Sequence, residues 1–242
     1  MTGETTLASE IATLRNRQPA TGLVGPASAR WRAAINQLLA RGEFAAAAYG
    51  AYLLLDADRS SNGAQTVCRM LDVAPPTDDL MTTFVDDGTK ELQIAPDSGS
   101  DSAVLVFSDV NHSIGMPFAF AHLWFGRLDA TILYLRDFQK LCFIDGIRSL
   151  APNWERTIRE LRGILRGLGV RRLACYGNSI GGFAAIQYAI ALQAEAVVSA
   201  AGPSDLAALR SPWGRRLQQA SPVQNLRELL AAADAPPEVL VV

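Results

Sequence analysis

A serine with glycine two residues away on each side stands at Gly177-Asn178-Ser179-Ile180-Gly181. An apolar run, Leu173-Ala174-Cys175-Tyr176, precedes it, and an alanine-rich helical run, Phe183 to Leu192, follows it. The pattern reads as strand, tight turn and helix, with Ser179 at the apex. A turn that sharp strains the serine backbone and crowds the positions two residues away, which must therefore be small. The hydroxyl is left standing above a sheet edge, beside the amide hydrogens of a helix N-terminus. That arrangement suits attack by Ser179 on a carbonyl carbon, with backbone N–H groups holding the resulting oxyanion. The same spacing also occurs at ordinary turns; here the strand before it and the helix after it supply the context that the chemistry requires.

The elements that must position this serine can be followed along the chain. Residues 1–27 carry Pro19, Gly22, Gly25 and Pro26 and read as a loose arm. Residues 28–76 are helical in pattern: Trp31, Ile35, Leu38 and Leu39 share one face, Gly42 ends that helix, and Phe44, Ala48, Tyr52 and Leu55 line the next. A third helical segment carries Val67, Met70 and Leu71, and Pro75-Pro76 closes the region. Residues 80–242 read as a separate α/β domain. Met81–Val85 and Lys90–Ile94 alternate around Asp86-Asp87-Gly88-Thr89, which predicts an antiparallel hairpin. Ala103–Phe107 and Thr131–Leu135 are continuous apolar runs of the kind buried on both faces of a parallel sheet. Helices are expected over 117–128 and 152–168, the latter with Trp154, Ile158, Leu161, Leu165 and Leu168 inward and arginines outward. Glu195–Ala200 and Glu238–Val242 are further strands, separated by a loop-and-helix insertion in which Trp213 either roofs a pocket or packs the insertion.

Two resemblances follow. Leu38 to Tyr49 is similar to one helix–turn–helix unit of a tetratricopeptide repeat. A single unit cannot form a solenoid, so it reads as a helical cap or as a docking module for a protein partner. The hairpin, the strand–helix alternation and the serine turn together resemble the α/β-hydrolase fold, three-layered and mostly parallel, over about residues 80–242. Tyr134-Leu135-Arg136-Asp137 and Gly177 to Ala185 look like segments of bacterial hydrolase-like proteins found beside glycan-assembly genes.

The hydrolase resemblance implies roles. Ser179 becomes the nucleophile of a serine hydrolase acting on an ester or thioester, and the amide of Ile180 becomes the first oxyanion donor. The second donor is expected in Ser108-Asp109-Val110-Asn111-His112, with Val110 first and Asp109 next. The family's His-Gly start of that loop is replaced here by Ser108-Asp109. In the family the acid and then the histidine follow the serine, yet no histidine follows Ser179. Three readings stay open. The chain is truncated before its acid and histidine; or it keeps the turn as architecture, without catalysis; or another base serves, for which His112 is the candidate. His112 also reads as a plain loop or pocket-lining residue, and His122 as a half-buried helix residue. Asp205 is expected to cap a helix from Leu206, and Asp137 to anchor its loop by hydrogen bonds.

Composition narrows the classes. The chain has 242 residues and a net charge of -2, which gives no electrostatic case for nucleic acid. No apolar run is long enough to span a membrane. The start of the chain lacks a basic stretch followed by an apolar one, and a cytoplasmic protein is expected. The 3 cysteines, Cys68, Cys142 and Cys175, are scattered and read as small core residues, and the 2 histidines form no metal cluster, so no cofactor or metal is expected. The expected ligand is a small-molecule or glycan-linked acyl group. Acyl transfer by the same serine, or a scaffold role with the fold as an interaction module, are the alternatives.

Overall fold

The structure is a computed structural model describing residues 27–57, 59–75, 80–210, 212–220 and 225–242. The arm at 1–26 and the side chain of Trp213 fall outside the described parts. The elements in order are α1 (Ala27–Ala40), α2 (Phe44–Ala57), α3 (Asn62–Asp72), β1 (Leu92–Ala95), β2 (Ser102–Phe107), α4 (Phe118–Phe125), β3 (Thr131–Leu135), α5 (Trp154–Gly167), β4 (Arg172–Asn178), α6 (Ile180–Leu192), β5 (Ala196–Ala200), a 3-10 turn (Leu206–Ala208), α7 (Pro212–Ala220), α8 (Leu226–Ala231) and β6 (Glu238–Val241).

The chain forms two compact units. One gathers the N-terminal helices, residues 84–86 and residues 117–127; the other holds 81–83, 87–116 and 128–242. In the first unit Gly42 adopts φ 75° between α1 and α2, the left-handed conformation that a glycine stop supplies. The small residues Ala47, Ala48 and Ala51 are buried on α2. Helix α4 is almost wholly apolar and is buried from Phe118 to Leu123, with Trp124 exposed. Phe120 of α4 packs against Phe44 with ring centroids 5.5 Å apart. His122 is buried rather than half-buried, and its ring lies 5.3 Å from that of Phe84.

The second unit is a mixed α/β fold around a six-stranded sheet in the order β1-β3-β2-β4-β5-β6. Strands β2 to β6 run parallel, and β1 is antiparallel to β3. The antiparallel pair is therefore present, but the predicted hairpin is not. Residues 81–85 form no strand, and β1 pairs with β3 instead, Leu92 opposite Leu135. The physical reason lies in where the side chains go: the Phe84 ring packs on His122 in the helical unit, so the alternation there does not describe a sheet surface. Without that strand, the one leading to Ser179 is the fourth in the chain and not the fifth.

One face of the sheet, with Leu105, Phe107, Leu133, Leu135 and Cys175, packs on Ile158, Leu161 and Leu165 of α5 and on Phe183 and Tyr188 of α6. Helix α5 is placed as its periodicity predicts and is capped by Asn153, whose side-chain oxygen accepts from Arg156 N–H. The loop after β3 takes unusual backbone: Lys140, Cys142 and Phe143 all have φ near 56–57°. Asp137 organises it, its carboxylate accepting from the amides of Gln139, Leu141 and Phe143 at 2.9, 2.6 and 3.0 Å. The Tyr188 hydroxyl adds a bond to the Phe143 carbonyl at 3.1 Å. Asp137→Ala removes the only side-chain acceptor in these bonds and leaves strained, buried amides unpaired. It is expected to lower the unfolding free energy by about 3 kcal/mol, read as a shifted midpoint in urea.

Candidate active site

Strand β4 ends at Asn178 and α6 begins at Ile180, so the whole reversal falls on Ser179. Its backbone sits at φ 53°, ψ -125°, a conformation that residues with a Cβ adopt only under constraint. The constraint is visible in the glycines on either side. A Cβ on Gly177 would land on the Gly181 carbonyl, and a Cβ on Gly181 would lie 2.5 Å from the Phe107 carbonyl oxygen and 2.6 Å from that of Ser108. Strand, helix and neighbouring loop thus meet backbone to backbone. The Ser179 amide donates to the Ala200 carbonyl at 2.7 Å, tying the turn to β5. Its side chain is exposed, and the hydroxyl makes no hydrogen bond among the described residues.

The loop after β2 stands beside this turn, because Phe107 pairs with Gly177 in the sheet register. Asp109 holds the loop. Its carboxylate accepts from the amides of Asn111 (2.7 Å), Ser113 (3.2 Å) and Gly115 (3.4 Å) and from the Ser113 hydroxyl. Its own amide donates to the Ser113 carbonyl at 2.6 Å, and the His112 amide donates to the Asp109 carbonyl at 3.1 Å. From 109 to 113 every amide is engaged except that of Val110, which has no acceptor among the described residues. Asp109, the second choice from sequence, has its N–H occupied. At the start of α6 the Ile180 amide also has no acceptor among the described residues. The amides of Val110 and Ile180 are thus without acceptors among the described residues, and Ile180 directly follows the exposed Ser179 at the C-terminal end of β4.

His112 lies in the same loop with φ 62°. Its ring is edge-on to Phe138 at 5.0 Å, and its Nδ1 is buried without a partner among the described residues. No hydrogen bond joins it to Ser179. Burial holds its pKa below the ordinary histidine range, and the cations of Lys140 and Arg136 push the same way against Asp137 and Asp109. Asp205 precedes the short turn at Leu206–Ala208 and bridges to Asn225, distant in sequence. Cys142 and Cys175 are buried and their thiols are pushed well above the ordinary range, which leaves them inert as nucleophiles. No helix among the described residues is long and apolar enough to cross a membrane.

The role of Asp109 was missed from sequence. The trace it leaves is the short polar run Asp109-Val110-Asn111-His112-Ser113, in which an aspartate can bond amides two and four residues on.

No protein family matches the chain, and no curated protein matches it. Among solved structures, a lidless α/β serine hydrolase from Xanthomonas campestris is 16% identical; the match covers 62% of this chain and 78% of that one, with a TM-score of 0.32.

The depressed His112 pKa has a signed consequence. The unfolded chain takes up the proton first, so stability is full above about pH 6.5 and falls as pH drops toward the folded-state pKa. The chain is expected to lose stability as pH falls below about 6.5, and His112→Asn, which tolerates positive φ, is expected to lose less. Urea midpoints from about pH 6.5 downward, with the histidine ring protons followed by NMR, check this.

Proposed function

We propose that Ser179 is the nucleophile of a serine hydrolase acting on an ester or thioester. The single observation that carries this reading is the conjunction at the turn: a strained, exposed serine hydroxyl beside the unengaged amides of Ile180 and Val110. In the reaction Ser179 Oγ bonds to the carbonyl carbon as its proton passes to a base. The oxyanion is held by the two amides, and the alcohol or thiol leaves with a proton. Water then releases the acid from the acyl-serine. The removal of one such donor typically costs a factor of about 100 to 1000 in turnover.

This reading needs a histidine as proton acceptor, and none among the described residues is bonded to Ser179. Strand β6 is parallel to β5, and the Ala201 amide donates to the Val242 carbonyl at 2.7 Å, so β6 ends on the sheet edge where Ser179 stands. An acyl group on a sugar is the substrate favoured by the resemblance of residues 134–137 and 177–185 to proteins of glycan-assembly clusters. Acyl transfer needs the same groups and an acceptor in place of water. The helical unit offers a surface for a protein partner.

A second reading, a non-catalytic scaffold, is favoured by one observation: the Ser179 hydroxyl is bonded to no imidazole among the described residues. Labelling with a fluorophosphonate separates the two. The hydrolase reading expects covalent modification of the full-length protein and none of Ser179→Ala. Modification that persists in the variant removes Ser179 from the chemistry, and an unlabelled full-length protein supports the scaffold.

A further inference from the structure

A second concavity lies apart from Ser179. A cavity of about 450 Å³ is set between the loop before α5, the first turn of α5, and residues of α6 and α8. At a helical rise of ~1.5 Å per residue, Gln187 in its wall stands about 12 Å along α6 from Ser179, so this space is separate from the candidate active site. Its size falls within the range of small-molecule sites, roughly 300–1000 Å³. Ile144, Trp154, Ile190 and Leu229 make up most of its apolar lining. The polar lining carries three charges, Asp145, Arg148 and Glu155, together with the uncharged Asn153 and Gln187.

The fold holds these groups in one arc. Gly146 has φ 92°, and a Cβ there would fall on the Thr157 hydroxyl and 2.8 Å from the Asn153 carbonyl oxygen. The Ile147 amide donates to the same hydroxyl at 3.0 Å. The loop that carries Asp145 and Arg148 is thereby fixed against the first turn of α5, which carries Trp154 and Glu155. The Trp154 ring packs edge-on with that of Tyr188 at 4.4 Å, and the Tyr188 hydroxyl bonds back to the Phe143 carbonyl at 3.1 Å.

The charges point to a class of ligand. Asp145 is half-buried, while Arg148 and Glu155 are exposed. None of the three side chains takes part in an ion pair or a hydrogen bond among the described residues. A ligand with a single charge meets a repelling group in this arc as well as an attracting one. A ligand with both charges meets a partner for each, its carboxylate on the guanidinium and its ammonium on the two carboxylates.

We propose that this cavity binds a free α-amino acid with a large apolar side chain. Arg148 takes the α-carboxylate through its fork of N–H donors, and Asp145 and Glu155 take the α-ammonium. The side chain of the ligand lies on Trp154 and Leu229, where apolar contact adds to the affinity. The carboxamides of Asn153 and Gln187 serve whichever head-group atoms are left over, since each carries a donor and an acceptor.

The test is calorimetric titration of the full chain with L-phenylalanine and with two analogues that each lack one charge: phenethylamine, without the carboxylate, and 3-phenylpropanoate, without the ammonium. L-Phenylalanine is expected to bind with a Kd below about 1 mM, and each analogue at least about tenfold more weakly. Arg148→Gln is expected to bring L-phenylalanine and phenethylamine within about threefold of each other. The paired change Asp145→Asn with Glu155→Gln is expected to do the same for L-phenylalanine and 3-phenylpropanoate. Both variants replace side chains that bond nothing among the described residues, so their thermal midpoints are expected to stay at that of the parent. Leu229→Trp, which fills the cavity from α8, is expected to abolish binding. Equal affinities for the three compounds, preferences that survive the charge substitutions, binding that survives Leu229→Trp, or no binding of L-phenylalanine at several millimolar would each overturn the proposal.

Discussion

The structure of the sheet unit depends on one close approach, that of Gly177 to Gly181. The chain must leave β4, reverse and enter α6 within a single residue, and it can do so only where no side chain separates the two backbones. Everything near Ser179 follows from that contact. The serine is driven to φ 53°, its side chain is exposed, and the Ile180 amide at the start of α6 is left without an acceptor among the described residues. The helix can then lie against the end of β2, where Gly181 meets the carbonyls of Phe107 and Ser108. The same crowding continues one residue on, where Gly182 approaches Gly202 and the Ser199 hydroxyl. The strain is local and the structure that imposes it is broad: the buried faces of β2, β3 and β4 and the aromatic cluster of Phe107, Phe143 and Tyr188 hold the turn in place.

Two aspartates solve a related problem in adjacent loops. Asp109 and Asp137 each follow a central parallel strand, and each gathers several backbone amides into one carboxylate. A loop that leaves a buried strand end carries N–H groups away from the ladder, and these need acceptors. A carboxylate accepts from several donors at once, so one side chain meets several of these needs. In the first loop the result is selective: the amides of Asp109, Asn111, His112 and Ser113 are engaged, and that of Val110 has no acceptor among the described residues.

Much of this was legible in sequence, for identifiable reasons. Thr131–Leu135 and the strand before Ser179 are dense apolar runs with sharp boundaries, and both appear as read. The amphipathic spacing of Ile158, Leu161 and Leu165 fixed the buried face of α5. The hairpin failed because alternation records which side of a segment is buried and not what buries it; Phe84 is packed by His122, and Leu92–Ala95 by β3. Helix α4 was recognised as a helix, but its apolar circumference gave no sign that it belongs with the N-terminal helices. At the candidate site, Ser179 and Ile180 follow from spacing. The preference for Val110 over Asp109 becomes physical only when each amide's acceptor is known, since hydrogen-bond bookkeeping across a loop is invisible in one dimension.

The measurement that tests the central claim most directly is the stability of Ser179→Gly. If the close glycine contact forces Ser179 into a conformation costly for any residue with a Cβ, glycine relieves that strain by more than it adds to the entropy of the unfolded chain. The account predicts that unfolding in urea then requires about 1 kcal/mol more free energy than in the parent protein. An unchanged or lowered free energy would mean that the backbone at position 179 is relaxed, and the claim that the fold holds this serine under constraint would be wrong.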